Sequence, residues 1–205
     1  MCRQGLASIS GILLNHGAGL HGDEAIAAMS IVSRVTMFAS SALIGFGQGF
    51  QPVCGFNYGA KLYGRVREGF AFCVKYATLF LLGISIAGAI FAPGIVGLFR
   101  KGDAEVIAIG ALALRLQCLA FPLTGWIIMS NMMLQSIGKA LKASILAAAR
   151  QGLFFIPLIL VLPRVWGLFG VEVCQTVSDV FSFALAVPLC VSVLKEMKEE
   201  QEKGM

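Results

Sequence analysis

Charge is what this sequence has least of. Asp, Glu, Lys and Arg make up 13% of its 205 residues, where a soluble domain carries roughly 25%. Hydrophobic residues account for 58% and the mean hydropathy is +0.83. A chain this apolar cannot cover its own surface with polar groups, so lipid must be the solvent for much of it. Histidine is nearly as scarce: His16 and His21 are the only two candidates for a general base. With no HExxH, no GxSxG and no nucleophile–base spacing, the sequence reads as a non-enzyme. The glycines at 45, 47 and 49 lack the dinucleotide spacing, and Gly59-Ala60-Lys61 lacks that of a phosphate loop. Cys2, Cys54, Cys73, Cys118, Cys174 and Cys190 are scattered, without a CxxC pair or metal-type spacing. They read as small hydrophobes within apolar runs, and no metal or cofactor is expected.

Long apolar runs are what the sequence does have. A bilayer core of roughly 30 Å needs about 20 helical residues, and candidate spans cover residues 5–20, 25–50, 69–91, 106–135, 141–162 and 167–194. The ten-residue alternation of membrane strands is missing. The fold class is therefore all-α: a polytopic membrane protein whose six transmembrane helices occupy residues 1–194, followed by a charged tail at 195–205. The start resembles a signal peptide only in outline, because Gln4, Ser8, Ser10, Asn15 and His16 interrupt the apolar run and no cleavage site follows. A first helix this polar needs protein around it. Its position near Met1 gives the chain the look of the middle of a longer polypeptide.

The net charge of +5 does not point to nucleic acid, because the basic residues collect at alternate helix ends. One side gathers Arg3, Lys61, Arg65, Arg67, Lys139, Lys142, Arg150, Lys195, Lys198 and Lys203; the other has Arg100, Lys101 and Arg164 beside Asp23, Glu24, Asp103 and Glu105. Cytoplasmic loops carry the Lys/Arg excess, so both termini are expected in the cytoplasm. Pro122, Pro157 and Pro188 are expected to kink their helices, whereas Pro93 and Pro163 are expected to end theirs. Small-residue pairs at 45–49, 55–59 and 83–87 are expected to bring helices close together.

Gln48-Gly49-Phe50-Gln51-Pro52, then Gly55-Phe56-Asn57-Tyr58-Gly59-Ala60-Lys61, then Arg65-Val66-Arg67 form the most specific stretch. It resembles the second-helix exit and cytoplasmic loop of a multidrug and toxic compound extrusion (MATE) transporter lobe. Residues 25–29 with Arg34, Arg115 with Phe121-Pro122 and Gly125, residues 135–139, Arg150-Gln151, and Gln175 with Asp179 resemble later family segments in the same order. The resemblance implies helices seven to twelve, the carboxy-terminal of two six-helix lobes. It also implies a plasma-membrane antiporter that extrudes amphipathic organic cations on sodium or proton influx, completed by a first lobe or a second copy.

Loop residues Asn57, Tyr58, Gly59, Lys61, Arg65 and Arg67 have a sufficient topological role, with glycines making the turn and the cations holding the cytoplasmic face; substrate contact is the other reading. Arg34 and Arg115 sit about 14 Å deep, and Glu172 and Asp179 about 8 and 18 Å deep, at 1.5 Å per residue. Glu172, Gln175 and Asp179 share a helix face. These charges are expected either to pair, Arg115 or Arg34 with Asp179 or Glu172, or to line a substrate or cation cavity. The sodium-coupled branch of the family has acids in its seventh and tenth helices, and this chain lacks them beyond the helix starts. Coupling in this lobe would thus fall to Glu172 or Asp179, or else to an acid in a first lobe. A lipid-linked sugar flippase of the same superfamily, half of a major-facilitator transporter, and a truncated product that does not transport are the alternatives.

Overall fold

In a computed structural model the apolar runs become seven α-helices joined by short turns, and residues 2–100 and 102–203 are described. The side chains of Cys2, Arg3, Gln4, Leu6, Ala7 and Lys203, and the whole of Met1, Lys101, Gly204 and Met205, lie outside the described residues. In order, α1 is Cys2–Gly19, α2 Asp23–Gly59, α3 Tyr63–Phe99 and α4 Ala104–Ser136. The fifth rod is composite: α5 (Ala140–Ala148), a π-helical turn (Ala149–Leu153) and α6 (Phe155–Trp166). Helix α7 closes the chain at Leu168–Lys203.

Among the described residues, five rods are long and apolar enough to cross a membrane: α2, α3, α4, the composite Ala140–Trp166, and α7. The sequence led us to expect six. The polar side chains of α1, Ser8, Ser10, Asn15 and His16, hold its hydropathy down, although it packs as a sixth rod against α2 and α6. The helices also overrun their apolar windows. Helix α2 has 37 residues, or about 55 Å, because backbone hydrogen bonding continues where hydrocarbon ends.

Helix α4 is the centre. It packs on α2, α3, α5 and α7, and every residue from Ile127 to Leu134 is buried, as a helix surrounded by others requires. Helix α3 lies outermost on α4 and exposes Phe72, Leu79, Ile86, Ile90 and Phe91. An apolar face that broad belongs in lipid. Cys54, Cys73, Cys118, Cys174 and Cys190 are buried free thiols within this bundle.

Local chemistry sets the turns. The Asp103 carboxylate accepts the Val106 N–H at 3.2 Å and caps α4, while Arg100 reaches the same carboxylate at 3.4 Å. Residues 57–67 are not a loop: Asn57, Tyr58 and Gly59 finish α2, Arg65 and Arg67 lie in α3, and three residues connect them. Leu62 N–H reaches Asn57 C=O and Lys61 N–H reaches Tyr58 C=O, the paired bonds of a Schellman cap. The residue in the left-handed region is Lys61, at φ 59°, and not one of the expected glycines. The same two bonds recur after α4, where Gly138 takes that position at φ 76°.

Two proline expectations fail. Pro93 and Pro163 lie inside α3 and α6. A proline forfeits its own N–H bond, but tertiary packing holds the turns beyond it. Val96, past Pro93, is wholly buried against Val106, Ala28 and Ile31, and Gly167 N–H bonds to Pro163 C=O.

The close approaches match those expected only in part. Gly45, Gly49, Gly59 and Gly83 meet open space, whereas Gly47 lies tight against Met129 and Met132 and Gly55 against the Ser136 carbonyl. Further tight crossings use Gly88 against Cys118, Gly110 against Val96, and Gly170 against the backbone of Leu162 and Pro163. A Cβ at Gly170 would overlap main-chain atoms that have no rotamer to yield. Gly170→Ala is therefore expected to cost more than the roughly 1–3 kcal/mol of ordinary overpacking. Gly45→Ala, with nothing in its way, is expected to gain about 0.5–1 kcal/mol from helix propensity. Thermal unfolding of the two purified variants in detergent should move in opposite directions.

Candidate functional site

Between α1, α2, α4, α7 and the composite fifth rod lies a cavity of about 440 Å³. Helix α2 contributes Ser33, Thr36 and Ser40, which at spacings of three and four share one face. Helix α4 contributes Gln117 and Asn131, the π turn Arg150 and Gln151, and α7 Glu172 and Gln175. Arg150 and Glu172 are the two charged side chains in this wall.

The π turn decides where Arg150 points. Phe154 N–H bonds to Ala149 C=O, five residues back, so the regular ladder slips and carbonyls are released sideways. Ser178 Oγ, on α7, donates to Arg150 C=O at 2.8 Å, and Ser10 Oγ, on α1, donates to Gln151 C=O. Pro157, which has no N–H to give, sits in the first turn of α6 just beyond the slip.

Asp179 is the acceptor around which the wall is assembled. Its side chain is fully buried. Arg150 Nε donates to Oδ1 at 2.8 Å and Gln117 Nε2 to Oδ2 at 2.9 Å, while Gln175 Nε2 lies 3.4 Å from Oδ1. Three donors from three elements satisfy a charge that would otherwise be very costly to bury. Glu172, 4% exposed, has by contrast no hydrogen bond or salt bridge to the described residues, and its carboxylate faces the cavity.

The pairing expected for Arg115 and Arg34 does not occur. Arg115 is exposed and donates Nε to Ala89 C=O at 3.2 Å; its neighbours along the helix face, Leu112 and Leu119, are exposed too. Depth alone suggested the pairing, but angle decides it. Two residues onward, about 200° around α4, Gln117 faces the interior and reaches Asp179. Arg34 is likewise exposed beside Met37 and Phe38. Of the five residues expected in a cavity, Glu172 and Gln175 line it, Asp179 lies behind the lining, and Arg34 and Arg115 stand apart. Asn57, Tyr58, Gly59, Lys61, Arg65 and Arg67 are not among the lining residues.

Arg150 itself was expected among the cytoplasmic cations. It sits ten residues beyond the start of the fifth rod, about 15 Å inward, with its side chain 18% exposed. The sequence signals that could have found the rest of the wall are the polar stripe Ser33-Thr36-Ser40 and Arg150-Gln151-Gly152 shortly before Pro157. At the end of the bundle that holds the basic turns, Lys139 and Lys142 both reach Glu196 of α7, and Met197 is buried. The charged tail thus begins as a packed continuation of α7.

The pattern that defines the MatE family matches residues 3–161. The multidrug export protein MepA of Staphylococcus aureus is 27% identical over 194 residues, covering 93% of this chain and 42% of MepA. The Staphylococcus saprophyticus MepA is 25% identical over the same shares. The chain thus spans less than half the length of these relatives. Among solved structures, a MOP superfamily transporter from Pyrococcus furiosus superposes with a TM-score of 0.89 at 22% identity, over 96% of this chain and 45% of that one. The Vibrio cholerae MATE transporter VcmN in its bent form gives 0.88 at 22% identity, over 98% and 45%. With the family pattern on most of its length and the same helical architecture in these structures, this chain belongs to the MATE family of membrane transporters.

Proposed function

We propose that the chain is the carboxy-terminal six-helix lobe of a MATE-type secondary active transporter, which exchanges sodium or protons for amphipathic organic cations across the plasma membrane and needs a first lobe to do so. Both termini face the cytoplasm in this reading, in keeping with the basic turns at Lys61 and Lys139 and with Lys139 and Lys142 meeting α7 at the same end. One observation carries the reading. In the cavity wall Arg150 is neutralised by Asp179 behind it, which leaves one uncompensated acid facing the cavity, Glu172. A wall with a single unpaired carboxylate attracts cations and repels anionic headgroups. The sugar-flippase alternative rested on Arg34 and Arg115, and both lie outside the cavity.

The two acids divide the work. Asp179 organises the wall and Glu172 meets cargo or coupling ion. Asp179→Asn strands Arg150 and is expected to cost about 3–5 kcal/mol, as breaking a buried pair does. Arg150→Gln added to it should recover part of the loss, read as thermal unfolding in detergent. Glu172→Gln should leave stability nearly unchanged. Expressed alone in an efflux-deficient host, the chain should confer no resistance to ethidium, and expressed beside a first MATE lobe it should. Glu172→Gln should reduce that resistance about tenfold, the effect of one charged contact. Resistance from the chain alone would mean that two copies assemble a pore, and an unaffected Glu172→Gln would remove the acid from the mechanism.

A further inference from the structure

A second hollow lies apart from the central cavity, at the end of the bundle that holds the basic turns. It is a groove of about 690 Å³ between α3, α4 and α7. Arg67, Glu68 and Lys75 of α3 give it its charge, Trp126 of α4 forms its floor, and Leu194 and Gln201 of α7 stand opposite. None of the three charged side chains forms a salt bridge with the described residues, so two cations face one acid and the groove is positive on balance. The Trp126 ring is held edge-on by Phe70 at 5.7 Å and Phe183 at 6.4 Å, and its N–H has no partner among the described residues. The Gln201 amide lies over Gly64, 3.3 Å from where a Cβ would stand, and closes the groove at the helix ends.

Lys75 sets this groove apart from the turns. Lys61 and Arg65 stand at the turn itself, whereas Lys75 lies twelve residues past the start of α3, about 18 Å along it, with Arg67 at about 6 Å. A cation that deep in an apolar helix keeps its charge by reaching back to the interface. Helical side chains lean toward the N-terminus of their helix, and α3 begins at the basic turn, so the Lys75 ammonium rises toward the level of Arg67. Beyond Lys75 the same side of α3 continues at Leu79, Leu82 and Ile86, all exposed. Two cations lacking an acid, an amphipathic ring beneath them and an apolar track beyond match the parts of a glycerophospholipid in order. We propose that the groove binds one anionic phospholipid. Arg67 and Lys75 hold its phosphate, Trp126 lies under its glycerol, and its chains follow Leu79, Leu82 and Ile86. The site is independent of what the transporter carries.

The two tryptophans make the site readable, since Trp126 lies in the groove and Trp166 ends α6. In Trp166→Phe protein reconstituted into phosphatidylcholine bilayers, Trp126 fluorescence is followed as chain-brominated phosphatidylglycerol or chain-brominated phosphatidylcholine replaces part of the lipid. Quenching should show the anionic lipid bound at least about fivefold more tightly, the contribution of one net cation near a membrane surface. Arg67→Gln combined with Lys75→Gln should bring the two lipids to within about twofold. Lys61→Gln combined with Arg65→Gln, at the turn outside the groove, should leave the preference in place. Equal quenching by the two lipids in the Trp166→Phe protein, which keeps both cations, would overturn the proposal whatever the charge variants do. A preference that survives the loss of Arg67 and Lys75 would overturn it too, as would one that vanishes equally with the turn cations, the mark of diffuse surface charge. Displacement of the lipid by excess inorganic phosphate would replace it with a free anion as the occupant. Efflux is not read in any arm, so the outcome is separate from that of the transport reading.

Discussion

A carboxylate with no access to water must be given donors by protein, and in this bundle that requirement falls on Asp179. Its two oxygens draw an arginine from the fifth rod, a glutamine from α4 and a glutamine from its own helix into one place. The ion pair with Arg150 fastens α7 to the slipped turn, while Gln117 fastens α7 to the central helix, which is not its neighbour in sequence. The serine next to it, Ser178, holds the carbonyl that the slip releases. Remove the charge and the arginine, the amide orientations and the π turn all lose their reason.

That arrangement separates stability from chemistry in a way useful to a transporter. The pair is internally neutral and buried, and it makes the wall rigid. Glu172, two helical turns away on α7, is left to respond to whatever enters. A single acid serving both purposes would be held by its structural partners and unable to release them.

The spans were legible because the bilayer fixes a minimum apolar length, and the sequence meets it at 106–135 and 141–162 within a few residues of the observed helices. Glu172 and Gln175 were legible as cavity residues because helical spacing places them on one face. What failed had physical causes. Depth along a helix was read for Arg115, but depth carries no angle, and the exposed leucines at 112 and 119 already marked that face as outward. Arg150 looked like a loop cation because it follows two lysines closely, while a hydrogen-bond register that slips from four residues to five leaves no compositional trace. The turn at Lys61 was assigned to its neighbouring glycines, although the cap geometry depends on which residue terminates the ladder.

The π turn also bears on how this family can change over evolutionary time. In effect it is one extra residue accommodated inside a membrane helix. Deleting one residue between 149 and 153 would close the bulge into a regular ladder and leave Phe155 and Ile159, which fill the core, facing as they do now. What such a deletion removes is the displaced carbonyl that Ser178 holds and the angle at which Arg150 meets Asp179. A gap in an alignment at this point would therefore mark a lineage that kept the bundle and rebuilt the wall by another route.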